Sequence, residues 1–474
     1  MTKLDPNFRK ALDTAFEQAI SYLESLDQAP VAATADVYQL RDQLTKQLAD
    51  DGIDPQRAVA ELARDVNGGL LGSAGGRFFG WVIGGVLPAA LAADWLTSAW
   101  QQNAALYACS PAAAVVEEIA GGWLKELLCL PPSVSFAIVT GCQMAHVTCL
   151  AAARHSLLAS RGWDVERQGL FNAPVIRILT STERHGSFER AVRLIGLGSG
   201  QIRLLSADTE GRLIPEALRE ELEADLDSPT IVLLQAGDIN IGAYDTFAEI
   251  IPIAKKHGAW VHVDGAFGLW AGANAETRHL VKNIDAADSW ATDGHKWLNV
   301  PFDCGFAFVK DSEAHRASLA SSASYITHVT NARDQMDWNP EWSRRARAFS
   351  VYAALRQLGR KGVADLVDRC CKHARSIVVG IGNLEGAEML WEPAINQGLV
   401  RFLDPRPGAT DHDHDSYTEE VIAKILETGE AFFGATTWRG IRAMRVSVCN
   451  WQTSETDVER VVRAVREVLE SRQQ

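Results

Sequence analysis

The sequence predicts an α/β protein with a mostly parallel central sheet covered by helices on both faces, plus an N-terminal arm and a small C-terminal α/β domain. Three observations predict it. Between residues 112 and 310, short β-branched or aliphatic runs alternate with helical stretches, and such near-continuous apolar strands belong to sheets buried on both faces. After residue 341 that pattern gives way to long helical segments and a smaller strand–helix unit. The chain, 474 residues with 47% hydrophobic and 22% charged, is long enough for two or three domains around a large core.

Taken in order, residues 9–26 and 54–67 read as amphipathic helices, with Leu12, Phe16, Ile20 and Leu23 on one stripe. A glycine-rich passage (Gly68 to Gly85) follows, so residues 1–111 are expected to form a helical arm and dimerisation segment. Helix 112–128 leads to a strand at Ser133–Val139 and a helix from about 143. Further strands are expected at Val175–Leu179, Ile202–Leu205, Thr230–Leu234, Trp260–Asp264, Ser289–Thr292 and Gly305–Lys310, with helices near 185–195, 213–225 and 245–257. Residues 112–345 would form the large domain. Helical segments over 341–383, strands at Leu399–Leu403 and Ala443–Val448, and helices 417–428 and 455–471 make residues 346–474 the small one.

Composition excludes several classes of partner. The net charge of −14 repels phosphate backbones and anionic membranes, so nucleic acid is not expected. The stretch Phe78 to Ala93 falls short of a spanning helix, and Leu127 to Ala153 is interrupted by Pro131, Pro132, Gln143 and His146; both are expected in the core, with no membrane. The first residues, MTKLDPNFRK, lack the apolar core of a signal peptide, so a cytoplasmic location with reduced thiols is expected. The eight cysteines show no paired metal spacing, and the run Asp411-His412-Asp413-His414-Asp415 is expected as a solvated loop; no metal is expected. Gly196-Leu-Gly198-Ser-Gly200 resembles part of a dinucleotide fingerprint but precedes a strand, and is discarded.

Two strand ends carry the chemistry. Trp260-Val-His-Val-Asp264-Gly-Ala266 is an apolar strand that delivers a carboxylate at its C-terminal end. Ser289-Trp-Ala-Thr-Asp293-Gly-His295-Lys296-Trp297 is a short strand, a glycine turn and an exposed His-Lys pair. The span between Asp264 and Lys296 suffices for one crossover back into the same parallel sheet, where ligands bind beyond the carboxyl ends of the strands. Pyridoxal phosphate needs both groups. A lysine amine holds it covalently and is exchanged for the substrate amine. A carboxylate keeps the ring nitrogen protonated, because a neighbouring negative charge favours the charged form, and a protonated ring is the better electron sink. The plainer alternative is a buried Asp and a surface Lys that never meet. Val139-Thr-Gly141-Cys142-Gln143 is a strand-to-helix turn of the kind that cradles a phosphate. His185 opens a helix on the same side of the sheet, either as an ordinary surface residue or as a group stacked on the cofactor ring.

With these motifs in place, the chain resembles the group II pyridoxal-dependent amino-acid decarboxylases, which include aromatic-L-amino-acid and glutamate decarboxylases. The similarity runs from about Gly68 to Gly382. It rests on His262-Val-Asp264-Gly-Ala266, His295-Lys296-Trp297-Leu298, Phe302-Asp303-Cys304, Gly237 through Gly242-Ala-Tyr-Asp245, Ser110-Pro111 and Ser343-Arg344-Arg345. It implies the fold-type-I transferase fold of pyridoxal enzymes, Lys296 as the covalent lysine, Asp264 as the ring-nitrogen partner, Ala266 beneath the ring and His185 above it. It further implies Gly141, Cys142 and Gln143 at the phosphate with His295 beside them, Gln235 near the ring, and a homodimer with shared active sites. Cys142 and Gln143 depart from the usual small and hydroxyl residues, and Asp293 adds a carboxylate near the phosphate. The loop between Tyr325 and Trp342 lacks the interior tyrosine that reprotonates Cα in the family; His328 or Tyr325 would have to substitute.

The expected reaction is decarboxylation of an L-α-amino acid to its amine. Aldehyde-forming decarboxylation–oxidation and aldolase-type carbon–carbon cleavage are the alternatives that the missing tyrosine keeps open; a scaffold without catalysis conflicts with intact Asp264, His185 and Lys296. By the same resemblance the substrate pocket includes Trp81, Val82, Ile83 and Asn103. The segment Phe78 to Gly84 supplies apolar walls and no cation, so a bulky aromatic or aliphatic side chain is expected unless Arg344 or Arg345 enters the pocket.

Overall fold

The computed structural model describes residues 5–321, 324 and 328–473. In chain order the strands are β1 (Phe78–Phe79), β2 (Ser135–Val139), β3 (Arg177–Ser181), β4 (Ile202–Leu205), β5 (Thr230–Gln235), β6 (Trp260–Asp264), β7 (Ser289–Asp293), β8 (Gly305–Val309), β9 (Ala387–Trp391), β10 (Gln397–Phe402), β11 (Phe432–Trp438) and β12 (Ile441–Ser447). Seven of them form one sheet in the order β2-β8-β7-β6-β5-β3-β4. Its pairings are parallel except those of β8, which runs against both β2 and β7. Every expected strand of this sheet appears within two residues of its expected bounds.

The reason is the buried character of these segments. All residues of β2, β3, β5, β6, β7 and β8 are buried, so aliphatic runs such as TIVLL have no solvent face to alternate with. Only β4, at the edge, exposes residues, among them Arg203. Helices Cys142–Ala159 and Gly186–Leu194 pack in the core cluster that β2, β3, β5 and β7 share, around Ala137, Val139, Leu150, Phe188 and Leu233.

Contacts divide the chain into two compact units. One comprises Met1–Ile83, Ser376–Leu390 and Leu399–Gln474; the other comprises Gly84–Arg375 and Trp391–Gly398. The division into an arm (residues 1–111), a large domain (112–345) and a small domain (346–474) stands as a proposal. The five remaining strands make a second sheet, β1-β11-β12-β10-β9. Its strands β9 and β11 lie outside the elements expected from sequence, because exposed and half-buried residues interrupt their apolar pattern.

The acidic-histidine run is not a loop. It opens helix Asp411–Glu427, with Thr410 as N-cap reciprocated by Asp413, while Asp411 and Asp415 pair with Arg401. Carboxylates in a first helical turn are stabilised by the free N–H groups there, which sequence periodicity alone undervalues. The long helical segment runs over Ala348–Gly382, broken at Gly359, whose φ is 60°. Among the described residues no helix is long and apolar enough to cross a membrane; the two apolar stretches resolve into β1 with helix Pro88–Trp100, and β2 with helix Cys142–Ala159.

Candidate active site

The sheet's register assembles the site. Gln235 pairs with Asp264 across β5 and β6, and Asp264 with Ala291 across β6 and β7. Asp293 follows Ala291 by two residues, on the same face, at the end of β7. Gly294 turns the chain and Lys296 comes back over the strand ends. Gly141, Cys142, Gln143, His185, Gln235, Asp264, Ala266, His295 and Lys296, all expected from the sequence, line one crevice of ≈ 270 Å³, together with Ser187, Gly237, Ile239, Phe267 and Asp293.

Lys296 Nζ lies 3.0 Å from Asp293 Oδ2. Burial is the largest single influence and works to lower the lysine's pKa, but the Asp293 charge and hydrogen bond, together with Cys142 and Asp264, outweigh it and hold the ammonium above its ordinary value. Asp293 Oδ1 accepts the Cys142 N–H at 2.6 Å and lies 3.5 Å from His295 Nε2. The added carboxylate therefore meets a cation. Cys304 N–H donates to His295 Nδ1 at 3.2 Å, so a neutral His295 carries its proton on Nε2, toward Asp293. Burial depresses the His295 pKa.

Two glycines fix the surroundings of these side chains. A Cβ on Gly84 would stand 1.9 Å from the Lys296 carbonyl oxygen, so only glycine lets that backbone pass against the lysine. Gly237 has φ +86°, and a Cβ there would meet Phe267 at 2.8 Å. Beyond it, Asp245 accepts the N–H groups of Gln235 and Leu213, each at 2.7 Å, and pins the end of β5. Burial pushes Asp245 up to about 6 against these bonds.

Asp264 accepts the Ala266 N–H at 3.1 Å and lies 3.4 Å from His146 Nε2. Burial opposes its charge, yet the His146 imidazole, followed by His185 and Lys296, holds it well below the usual carboxylate range. His185 is exposed at the N-cap of helix Gly186–Leu194, where Ser187 N–H donates to its Nδ1.

The donor set fits pyridoxal phosphate group by group. Asp264 is an acceptor for a ring N–H, and Lys296 an amine for the aldehyde. The buried Nε2 of Gln235 has no hydrogen-bond partner among the described residues, and a ring oxygen would supply the acceptor it lacks. Helix Cys142–Ala159 has no side-chain cap at Gly141, so first-turn N–H groups beyond Cys142 are available to an anion.

The sequence model of the pyridoxal-dependent decarboxylase conserved domain matches residues 39–403. The chain belongs to the pyridoxal-dependent decarboxylases. It is an enzyme of the carboxy-lyase class whose cofactor is pyridoxal phosphate, within the group II family whose motifs it carries. It is similar to the aromatic-L-amino-acid decarboxylase of Bacillus atrophaeus, 25% identical over 463 residues, covering 96% of this chain and 94% of that one. It is equally similar to the 4-hydroxyphenylacetaldehyde synthase of Rhodiola rosea, 25% identical over 460 residues, with 95% and 92% covered. Among solved structures, Oryza sativa TDC with PLP and tryptamine superposes with a TM-score of 0.93 over 100% of both chains at 23% identity, which establishes the fold-type-I architecture.

Other expected residues lie elsewhere. Trp81, Val82 and Ile83 belong to the first unit, where Trp81 packs on Phe432 with ring centroids 4.8 Å apart. Trp81 and Val82 both have positive φ, 51° and 58°, a strained conformation for a β-branched residue. Asn103 does not reach the crevice of its own chain; it lines a separate cavity with Arg344 and Arg345. Both arginines are already paired. Arg344 is fully buried against Glu117 at 2.7 Å and also donates to the Ala104 carbonyl, while Arg345 pairs with Asp94 at 2.8 Å. Tyr325 lies outside the described residues. His328 Nδ1 bonds Asp334 at 2.6 Å and lines a cavity other than the Lys296 crevice. Sequence reasoning missed His146, which looked like an ordinary core residue of an apolar helix. The one signal for it was that His262 and Asp264, two apart on β6, share a face that this helix covers.

Proposed function

We propose that this protein decarboxylates a bulky aromatic or aliphatic L-amino acid, releasing the amine and carbon dioxide. Bound pyridoxal phosphate supplies an electron sink for the pair released when a bond to Cα breaks. The chain's residues do the rest. Lys296 provides the amine that is exchanged for the substrate's, Asp264 keeps a proton on the ring nitrogen, and His185 closes the ring's open face. Gly141, Cys142, Gln143 and His295 would hold the phosphate end, and Gln235 Nε2 the ring oxygen.

One observation carries the choice of substrate: the cations that threatened an apolar pocket are engaged, Arg344 by Glu117 and Arg345 by Asp94. The charged groups left in the crevice are those assigned to the cofactor, and Asp293 adds negative charge. A side-chain carboxylate brought there would stay without a partner, at a cost of several kcal/mol. The strained Trp81-Val82 pair supports a pocket role for the segment Trp81 to Ile83, and Asn103 would serve from a second copy.

A second copy is the natural cover for an apolar stripe on helix Pro6–Ser25. Phe8, Leu12 and Ile20 are exposed along it, and so are Leu96 and Trp100 on helix Pro88–Trp100. We therefore propose a cytoplasmic homodimer; light scattering that shows only monomer at micromolar concentration would contradict it.

A specific feature keeps the aldehyde-forming alternative in view. No tyrosine stands between Tyr325 and Trp342 to protonate Cα, and His328 is bonded to Asp334. That reaction consumes dioxygen and releases ammonia and hydrogen peroxide, whereas simple decarboxylation does not. A turnover screen over pooled L-amino acids, with amine, aldehyde, peroxide and carbon dioxide measured, decides both questions. Amine from tryptophan, tyrosine, phenylalanine or leucine is expected; preference for glutamate, aspartate or cysteine sulfinate overturns the substrate assignment.

A further inference from the structure

Behind Asp264 the structure holds a chain of buried polar side chains that the reaction as described does not use. His262 precedes Asp264 by two residues on β6, so both side chains stand on one face of the strand. Ser289, the first residue of β7, is paired with His262 in the sheet register. Helix Cys142–Ala159 covers this face and brings in His146. The links are Trp260 Nε1 to Ser289 Oγ, 2.9 Å; Ser289 Oγ to His262 Nδ1, 2.8 Å; His262 Nε2 to His146 Nδ1, 2.8 Å; and His146 Nε2 to Asp264 Oδ2, 3.4 Å. His146, His262 and Ser289 have no solvent exposure, and the Phe188 ring packs against both imidazoles.

Hydrogen-bond bookkeeping restricts the protons. Trp260 Nε1 can only donate, so Ser289 Oγ accepts there. Suppose that the Ser289 hydroxyl donates to His262 Nδ1. A neutral His262 then has its proton on Nε2 and gives it to His146 Nδ1, which leaves the His146 proton on Nε2, aimed at Asp264. In the opposite direction, His262 Nδ1 donates to Ser289 and His262 Nε2 accepts from His146 Nδ1. A bare His146 Nε2 would then face the carboxylate, and the Cys142 thiol, whose Sγ lies 3.5 Å from that nitrogen, would have to donate to it. The first arrangement, which leaves no bare nitrogen against the carboxylate, aims a His146 Nε2–H at Asp264 Oδ2, with the Cys142 Sγ 3.8 Å from the other carboxylate oxygen. Burial, and then the charge of His146, push His262 down to about 3, so His262 stays neutral and is the fixed link. The other titratable groups around Asp264 are His185, Lys296 and the Cys142 thiol, with Asp293 beyond them.

We infer that His146, backed by His262 and Ser289, is a positioning residue that keeps Asp264 ionised and aimed at the cofactor's ring nitrogen. This rests on the assignment of Asp264 as the ring partner. An unassisted carboxylate at this depth would lose charge to desolvation, and with it the ability to hold a proton on the ring. The two histidines thus serve the ring nitrogen without touching it. If instead they only satisfy each other in the core, removing His146 affects packing but not the ring nitrogen in particular.

The test compares two cofactors. Apoprotein is titrated with pyridoxal phosphate and with its 1-deaza analogue, in which carbon replaces the ring nitrogen, and dissociation constants are read from the visible band. Wild type should prefer pyridoxal phosphate. His146→Leu should weaken pyridoxal phosphate about tenfold, the scale of one charge-assisted hydrogen bond, and change the analogue less than twofold. His146→Gln, which keeps an N–H near the Nε2 position, should restore most of the loss. Equal loss for both cofactors, or no loss for either, overturns the relay. A wild type that binds both equally overturns the Asp264 assignment instead, and neither result bears on which amino acid is decarboxylated. Should His146→Leu not fold, the wild type still decides: the downfield imidazole N–H resonances of the two histidines must differ between protein loaded with pyridoxal phosphate and with the analogue, and identical spectra overturn the inference.

Discussion

Adjacent parallel strands β6 and β7 end on the same kind of group, and the structure holds the two in opposite ways. Asp264 is served by donors that stay in place, the Ala266 N–H and the His146 imidazole. Asp293 is served by the Cys142 N–H and by Lys296, the residue that must leave it to do its work. Both carboxylates are buried, and both would be costly without partners. A buried charge backed by immobile donors is a fixed part of the site; one backed by the reactive amine is a brake on that amine.

The largest expected effect breaks the second pair. Lys296→Ala should abolish the visible band and lower turnover by more than about 1,000-fold, the scale on which loss of a covalent catalyst acts, while the far-ultraviolet spectrum stays native. A protein that keeps its band has another covalent lysine. Asp264→Asn comes next: cofactor retained, turnover down about 100-fold, because an amide cannot hold the ring nitrogen protonated. A loss under about threefold, roughly 0.65 kcal/mol of barrier, shows that Asp264 is not the ring partner.

Asp293→Asn sharpens the comparison with a smaller effect of opposite sign. Only the neutral amine attacks the cofactor aldehyde, and Asp293 holds Lys296 protonated above its ordinary value. Covalent loading of the wild type should therefore be slow near neutral pH and rise steadily with pH, up through the raised lysine value. Without the Asp293 charge, burial is left to push the lysine down, and the profile should move to lower pH. If the lysine titrates about tenfold more readily, loading near neutral pH becomes about tenfold faster. Stopped-flow absorbance at several pH values measures it; a profile that does not move shows that Asp293 acts on the phosphate alone.

The sequence made the central sheet legible because its strands are buried on both faces and read as plain aliphatic runs. The second sheet was harder: β11 (FFGATTW) carries a glycine and threonines, and β9 (AEMLW) is partly exposed. At the site, Asp264 and Lys296 were legible because strand ends in a parallel sheet converge whatever the helices do. His146 was not, since His262 and Asp264, which it meets, come from β6, and the packing of that strand is not written in the helix that carries His146.

The buried ion pair between Arg344 and Glu117 also limits how this protein could change. A natural or engineered route to acidic substrates needs a guanidinium free to reach the pocket, and Arg344, one of the two arginines the sequence raised for that role, is committed to Glu117. Freeing it by replacing Glu117 would leave an uncompensated charge in a fully buried place, a destabilisation of about 3–5 kcal/mol, a large part of the stability of an ordinary domain. New specificity of that kind is therefore easier to reach by adding a cation at a solvated position than by redeploying one the fold already uses.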